Sequence, residues 1–224
     1  MKNLLITACF CMVLIGCASN AVKLPLGETA AAGNVLGKAE DLLNKLAALE
    51  RGRAWEEAFI GYRSVLANPA SEAISEDARL GATRCLIAME QHHAALAMLS
   101  PLPDKAARDR DRRRLALAAE AMMRLDDWAH AESLAEVALS GLDPELDFDT
   151  WVAVCSANLA KAYLENDKPN KSAAMYRSAS RRFELNGREQ AAMECLALAL
   201  DIDRILDGAT GKRHDADGHT WSGQ

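Results

Sequence analysis

What this 224-residue chain has little of narrows its reading quickly. Aromatic residues make up only 5% of it, too few to cover a binding face with stacking rings. Runs of Val, Ile, Thr and Tyr are nearly absent, which argues against a sheet-built core. There is no excess of basic residues: 26 Lys and Arg stand against 32 Asp and Glu, a formal net charge of −6. Nucleic acid is therefore not an expected partner. No CxxC spacing occurs, which removes the usual zinc and thiol-redox patterns. No apolar run reaches the ~20 residues that a membrane-spanning helix needs. What is abundant is Ala, Leu, Glu and Arg, the residues that lose least on entering a helix. The chain is also long enough to bury one sizeable core.

One apolar run does stand out, at the N-terminus. It covers residues 4–16, is interrupted only by Thr7, and follows the positive Lys2. Its length suits a signal-peptide core. It ends in Leu14-Ile15-Gly16-Cys17, which resembles the lipobox of bacterial lipoproteins. In that family lipid is attached to the cysteine thiol, and cleavage leaves the cysteine as residue one. The resemblance implies a signal peptide over residues 1–16 and lipid, palmitate included, on Cys17. It also implies a domain tethered to a membrane rather than spanning it. Several acyl chains, at ~0.8 kcal/mol per buried methylene, give stable anchoring. Ala18 rather than aspartate follows the cysteine, and under the sorting rule of Gram-negative lipoproteins this implies the outer membrane, facing the periplasm. The competing reading is an ordinary secretory signal in which Cys17 is incidental. Past the signal, Cys85, Cys155 and Cys195 remain, an odd number for an oxidising compartment. Each falls within a helical apolar pattern and reads as a small buried residue; a Cys155–Cys195 disulfide is the alternative.

Residues 17–37 are small, polar and broken by Pro25, Gly27 and Gly33, as a flexible tether would be. From Lys38 onward the period changes to that of helices. Leu42, Leu43, Leu46 and Leu49 form one face; Gly52 ends that helix and Trp55 opens the next. The pattern then recurs. Trp55, Ala58, Tyr62 and Val65 align with His92, Ala95, Leu99 and Leu102. They align again with Trp128, Ala131, Ala135 and Ala138, and with Pro169, Ser172, Tyr176 and Ala179. Positions 58, 95, 131 and 172 are separated by 37, 36 and 41 residues. Each set follows a helix with a small residue at its crossing point: Ala47, Thr83, Ala119 and Ala160. Proline follows three of the second helices, at Pro69, at Pro101 with Pro103, and at Pro144.

This arrangement resembles the tetratricopeptide repeat (TPR) family over about residues 38–207. The fourth repeat fits best, with Leu159, Ala160 and Tyr163 on its first helix. The resemblance implies an all-α, right-handed solenoid of about four helix pairs. A last helix, with Ala192, Cys195, Leu196, Ala199, Ile202 and Leu206 on its face, caps the array. Spacings above the family's usual period imply longer turns. Residues 208–224 are polar and glycine-rich and read as a disordered tail.

Signals for chemistry are thin, and no enzymatic activity, cofactor or metal is expected. Gly208-Ala209-Thr210-Gly211-Lys212 resembles a phosphate loop only superficially, because Leu206 stands where the first glycine must be. Asp143, Glu145, Asp147 and Asp149 suggest a calcium loop, but Phe148 occupies the sharp-turn glycine position. These acids read better as a solvated loop, with Asp147 or Asp149 as the next N-cap. His214, Asp215, Asp217 and His219 lie on the tail, where a metal chelate would not be preorganised. Residues 105–114 hold six basic side chains around Asp109 and Asp111. That run is either a solvated helix start or a contact for anionic lipid or an acidic partner.

The family's concave groove is lined by first-helix residues. Residue by residue, that gives Asp77, Leu80 and Arg84 in repeat two. Repeat three supplies Arg113, Ala116, Glu120 and Met123, and repeat four Val154, Ala157, Lys161 and Leu164. Apolar patches mixed with both charge signs suit an amphipathic peptide or helix. The Lys and Asn set of chaperone-type carboxylate clamps is missing, since Leu80 and Arg84, or Ala116 and Glu120, stand there. A lipoprotein with such an array resembles pilotins of type IV pilus secretins and the repeat lipoprotein of the outer-membrane barrel assembly machine. The expectation is a non-enzymatic scaffold that binds an envelope protein or peptide segment in its groove. The alternative is a protein that binds cell-wall glycan or a small ligand, against which the packing positions of Trp55, Trp128 and Trp151 count.

Overall fold

The computed structural model describes residues 32–143, 149–210, 212–214 and 220–222. The signal segment, Cys17 and most of the tether lie outside these residues, as do Glu145, Asp147 and Phe148. Four helix pairs follow one another: α1 (Ala32–Arg51) with α2 (Trp55–Ala67), α3 (Glu72–Ala88) with α4 (His92–Leu99), α5 (Asp109–Met123) with α6 (Trp128–Leu139), and α7 (Thr150–Glu165) with α8 (Pro169–Leu185). A ninth helix, α9 (Glu189–Thr210), packs on α8. The fold is an all-α, TPR-like solenoid. Each second helix packs on its own partner and on the first helix of the next pair, so helices are added along one direction.

The turn inside every pair is the same device. The backbone takes a left-handed conformation at Arg53, Glu90, Asp126 and Asp167, and again at Gly187 between α8 and α9. In each case that residue's N–H donates to the carbonyl three residues back. The next N–H donates five back, as in Ala54 to Leu49 (3.0 Å) and Lys168 to Tyr163 (2.8 Å). This is the Schellman closure of a helix C-terminus. Four of the five left-handed residues are not glycine, so the strain of a left-handed side chain is carried by the packing that follows. Five residues beyond each left-handed position comes a small buried residue: Ala58, Ala95, Ala131, Ser172 and Ala192. Turn and crossing point are thus a single repeating unit. The extra length expected between repeats falls in residues 100–108 and in the α6–α7 connection.

Small residues set how closely the helices approach. Ala78, Ala82, Ala118, Ala119, Ala153 and Ala160 are fully buried along the seams. The tightest points are two glycines that the repeat pattern did not single out. A Cβ on Gly61 would lie 2.2 Å from the Leu46 side chain, and one on Gly81 would lie 2.3 Å from the Tyr62 ring. Aromatics and leucines fill what the small residues leave. Tyr62 sits with Leu46 and Val65 in the first core, Leu159 and Tyr163 with Leu115 in the third, and Tyr176 and Phe183 against α9.

Two boundaries differ from the sequence reading. Helix α1 starts at Ala32 rather than Lys38 and carries Gly33 and Gly37 inside it. The Leu, Lys, Ala and Glu residues that follow favour helix strongly enough to tolerate glycine, at about 1 kcal/mol each. At the other end α9 runs to Thr210, so Gly208, Ala209 and Thr210 are helical rather than a loop. Beyond it the tail is not wholly irregular: strands β1 (Lys212–His214) and β2 (Thr220–Ser222) pair antiparallel, Arg213 opposite Trp221. Among the described residues no helix is long and apolar enough to cross a membrane.

Candidate functional site: the inner face of the array

Helices α1, α3, α5 and α7 pack side by side, whereas α2, α4, α6 and α8 are held apart. The first helices therefore form the inner face, and the groove positions carried over from the TPR pattern can be located on it.

The N-terminal half of this face is closed by its own side chains. Glu50, at the end of α1, is only 9% exposed. Its carboxylate accepts a short bond from the Tyr62 hydroxyl and two from Arg84, Nε at 2.8 Å and Nη2 at 2.9 Å. Burial, reinforced by the Glu50 carboxylate, holds the Tyr62 phenol well above its ordinary pKa. Arg84 is thus a tie between α3 and α1 rather than a free groove cation. Leu80 is a clear correction. It is 4% exposed and packs with Leu99 and Ala118, because α3 and α5 meet closely enough there to bury it. Asp77 remains exposed on α3.

In the middle, Arg113 is held rather than offered. Its Nε lies 2.7 Å from Asp109, its Nη2 donates to Asp149 at 3.4 Å, and its guanidinium sits 5.9 Å from the centre of the Trp151 ring. Asp149 occupies the N-cap of α7 as the sequence suggested, but its side chain makes no cap bond and accepts from Arg113 and Trp151 instead.

The C-terminal half stays open. Glu120 and Met123 of α5 are half-buried. Burial raises the Glu120 carboxyl above its usual pKa, with Arg124 opposing the shift. On α7, Leu164 is 40% exposed, and the exposed Lys161 places its ammonium 5.2 Å over the Trp128 ring. Val154 and Ala157 are half-buried on the same helix. Chemically this is a shallow apolar surface bearing one carboxylate and one ammonium at equivalent positions of neighbouring repeats. Such a surface can hold an amphipathic segment and fix its register. It offers no nucleophile–base pair.

The basic run of residues 105–114 is a helix start, as one of its two readings had it. Two of its guanidinium groups are used inside the fold. Arg112 donates to the carbonyls of Ala138 (3.1 Å) and Ser140 (2.5 Å), and Arg114 to those of Leu99 and Pro101 (both 2.5 Å). They close the C-termini of α6 and α4, where unpaired carbonyls and the helix dipole favour a cation. Arg108 pairs with Asp111 and Arg110 approaches Glu72. Little of the run is left for a lipid surface.

Other sequence candidates resolve as packing. Cys85, Cys155 and Cys195 are buried free thiols, so the Cys155–Cys195 disulfide is absent; burial pushes the Cys85 and Cys155 thiols up to about 12. Trp55 and Trp151 pack against the first and third cores. Among the described residues no three His, Cys, Asp or Glu side chains gather as a metal site requires; Asp215, Asp217 and His219 lie outside these residues. One polar clasp escaped the sequence reading. Glu132, 8% exposed, accepts from Asn166 (2.7 Å) and Lys168 (2.5 Å) in the α7–α8 turn. Burial alone would raise its pKa, but these two bonds outweigh it and the net shift is downward. Its partners lie more than thirty residues away in the chain, so no local pattern announces it.

No family model matches the sequence, and no curated protein matches it. Several solved structures are similar in shape. The crystal structure of MamA is 14% identical, over 72% of this chain and 95% of that one, with a TM-score of 0.42. A MamA RS-1 ArsTM double mutant is 13% identical over 76% and 97%, with a TM-score of 0.46. YrrB, described as a TPR protein with an unusual peptide-binding site, is 15% identical over 77% and 92%, with a TM-score of 0.42.

Proposed function

We propose that this chain is a lipid-anchored interaction scaffold of the cell envelope, which holds a segment of another envelope protein along the inner face of α5 and α7. The observation that carries the reading is the surface left once the fold has used Leu80, Arg84 and Arg113. Met123 and Leu164 stay available for apolar contact, while Glu120 and Lys161 offer opposite charges. An amphipathic helix or strand laid across α5 and α7 would bury the two apolar side chains and pair with the two charges. Lipid on Cys17 would hold the array at the outer membrane, within reach of assembling envelope proteins.

The test is a photo-crosslinking residue at Leu164 in native cells, with and without Lys161→Glu. Recovery of an envelope protein that Lys161→Glu abolishes supports the reading. No recovery, or recovery indifferent to that change, overturns it. Cys17→Ser tests the anchor separately: it should release the protein from the membrane fraction and abolish palmitate labelling.

A further inference from the structure

A terminal helix that only caps an array should turn a polar face outward; α9 does not. Its seam toward α8 is Ala192, Cys195, Ala199 and Ile202. One residue further along the chain, and so about 100° round the helix, come Met193 (65% exposed), Leu196 (44%) and Leu200 (44%). On α7 the same step has a known meaning. Leu159 faces the preceding pair, while Ala160, the next residue, faces α8. The stripe on α9 therefore occupies the side on which a helix of the array receives the next one, and no helix lies there among the described residues.

We propose that this stripe docks a basic amphipathic helix supplied by a partner protein, which takes the place of a next helix in the array. The partner's chemistry follows from what borders the stripe. Helix α9 carries five acidic residues, Glu189, Glu194, Asp201, Asp203 and Asp207, against one basic residue, Arg204. Arg204 pairs with Asp201, and Asp203 takes Arg177 of α8; Glu189 lies at the head of the stripe, whereas Glu194 lies on another side of the helix with the exposed Leu198 and Ile205. A second α9 would bring the same sign of charge to this surface. The opposite end of the array offers a poor match, because α1 exposes a single large apolar side chain, Leu36, among Gly37, Lys38, Glu40, Asp41, Asn44, Lys45 and Ala48 of its described surface. An anionic lipid surface is repelled as well. Lysines or arginines flanking an apolar face satisfy both features of the stripe, and methionine gives it an adaptable contact. The inference is independent of the groove on α5 and α7.

The experiment uses the full chain and two synthetic amphipathic helices, one of leucine and lysine, the other with glutamate for each lysine. The lysine peptide should bind and the glutamate peptide should not, and the affinity should fall as salt rises. Leu196→Gln with Leu200→Gln keeps the helix neutral at exposed positions and should weaken binding roughly tenfold or more. Glu189→Gln should reduce the salt dependence, and Glu194→Gln, on another side of the helix, should reduce it less. Lys161→Glu in the groove should change neither. Equal binding of the two peptides, or no effect of the Leu196 and Leu200 changes, overturns the proposal. So does sedimentation showing that the chain self-associates through this stripe.

Discussion

Replacing Gly81 by alanine should destabilise the first two repeats, although alanine is the better helix former. The new Cβ would stand 2.3, 2.5 and 2.6 Å from Cζ, Cε1 and Cε2 of Tyr62, where ordinary carbon contacts lie at about 3.5–4.0 Å. The ring cannot yield cheaply. It is 2% exposed, packs among Leu46, Ala58 and Val65, and is tied by its hydroxyl to Glu50. Overpacking of this kind costs about 1–3 kcal/mol. A displaced hydroxyl also weakens a hydrogen bond to a charged acceptor, a contact of about 1.5–3 kcal/mol. Against this, alanine gains about 1 kcal/mol of helix propensity. The balance is a loss of about 2 kcal/mol. Gly37→Ala is the control, since a Cβ there meets nothing within 4 Å, and it should stabilise by up to about 1 kcal/mol. Urea unfolding followed by far-UV circular dichroism measures both. In a Tyr62→Ala background Gly81→Ala should lose its cost, which a double-mutant cycle reads directly. If Gly81→Ala stabilises the chain as Gly37→Ala does, close approach at this crossing is not what fixes the geometry.

The remaining predictions concern charges and thiols. Arg114→Gln should lower stability by about 1 kcal/mol by uncapping α4 and leave partner binding unchanged; reduced binding without lost stability would restore the run as a contact surface. The carboxyl of Glu132 is depressed in the folded state. The stability it contributes is therefore present above the ordinary glutamate pKa of ~4.3 and is lost as pH falls through the lower folded value. Glu132→Gln should flatten the acid limb of the stability–pH curve, and an unaltered limb would refute the clasp. Cys85, Cys155 and Cys195 should resist thiol reagents in the native state at neutral pH and react on unfolding, because the thiolate is the reactive form; rapid labelling of the native chain would contradict their burial.

The helices, their order and the period that relates them are legible in the sequence because the signals are local. Alanine and leucine at helical spacing, and the small residues at 58, 95, 131 and 172, report on neighbours a few residues away. The turns were harder to read, since Arg53, Glu90, Asp126 and Asp167 hold a conformation usually marked by glycine. The site was half legible. Lys161 and Leu164 are exposed on α7 and Met123 is half-buried on α5, whereas Leu80 sinks into the core and Arg84 is taken by Glu50, a residue of another repeat. Charge in a sequence states only that a partner is needed, and the partner is chosen by the fold.

What the sequence determined by itself is therefore the secondary structure and the repeat, through periodicity and propensity along the chain. Tertiary structure alone decided which side chains are spent and which are left over. Arg112 reaches carbonyls 26 and 28 residues away, Arg114 carbonyls 15 and 13 away, and Lys168 a carboxylate 36 away. Only after these polar groups had found each other did the inner face of α5 and α7 and the outer stripe of α9 stand apart as surfaces with unmet contacts.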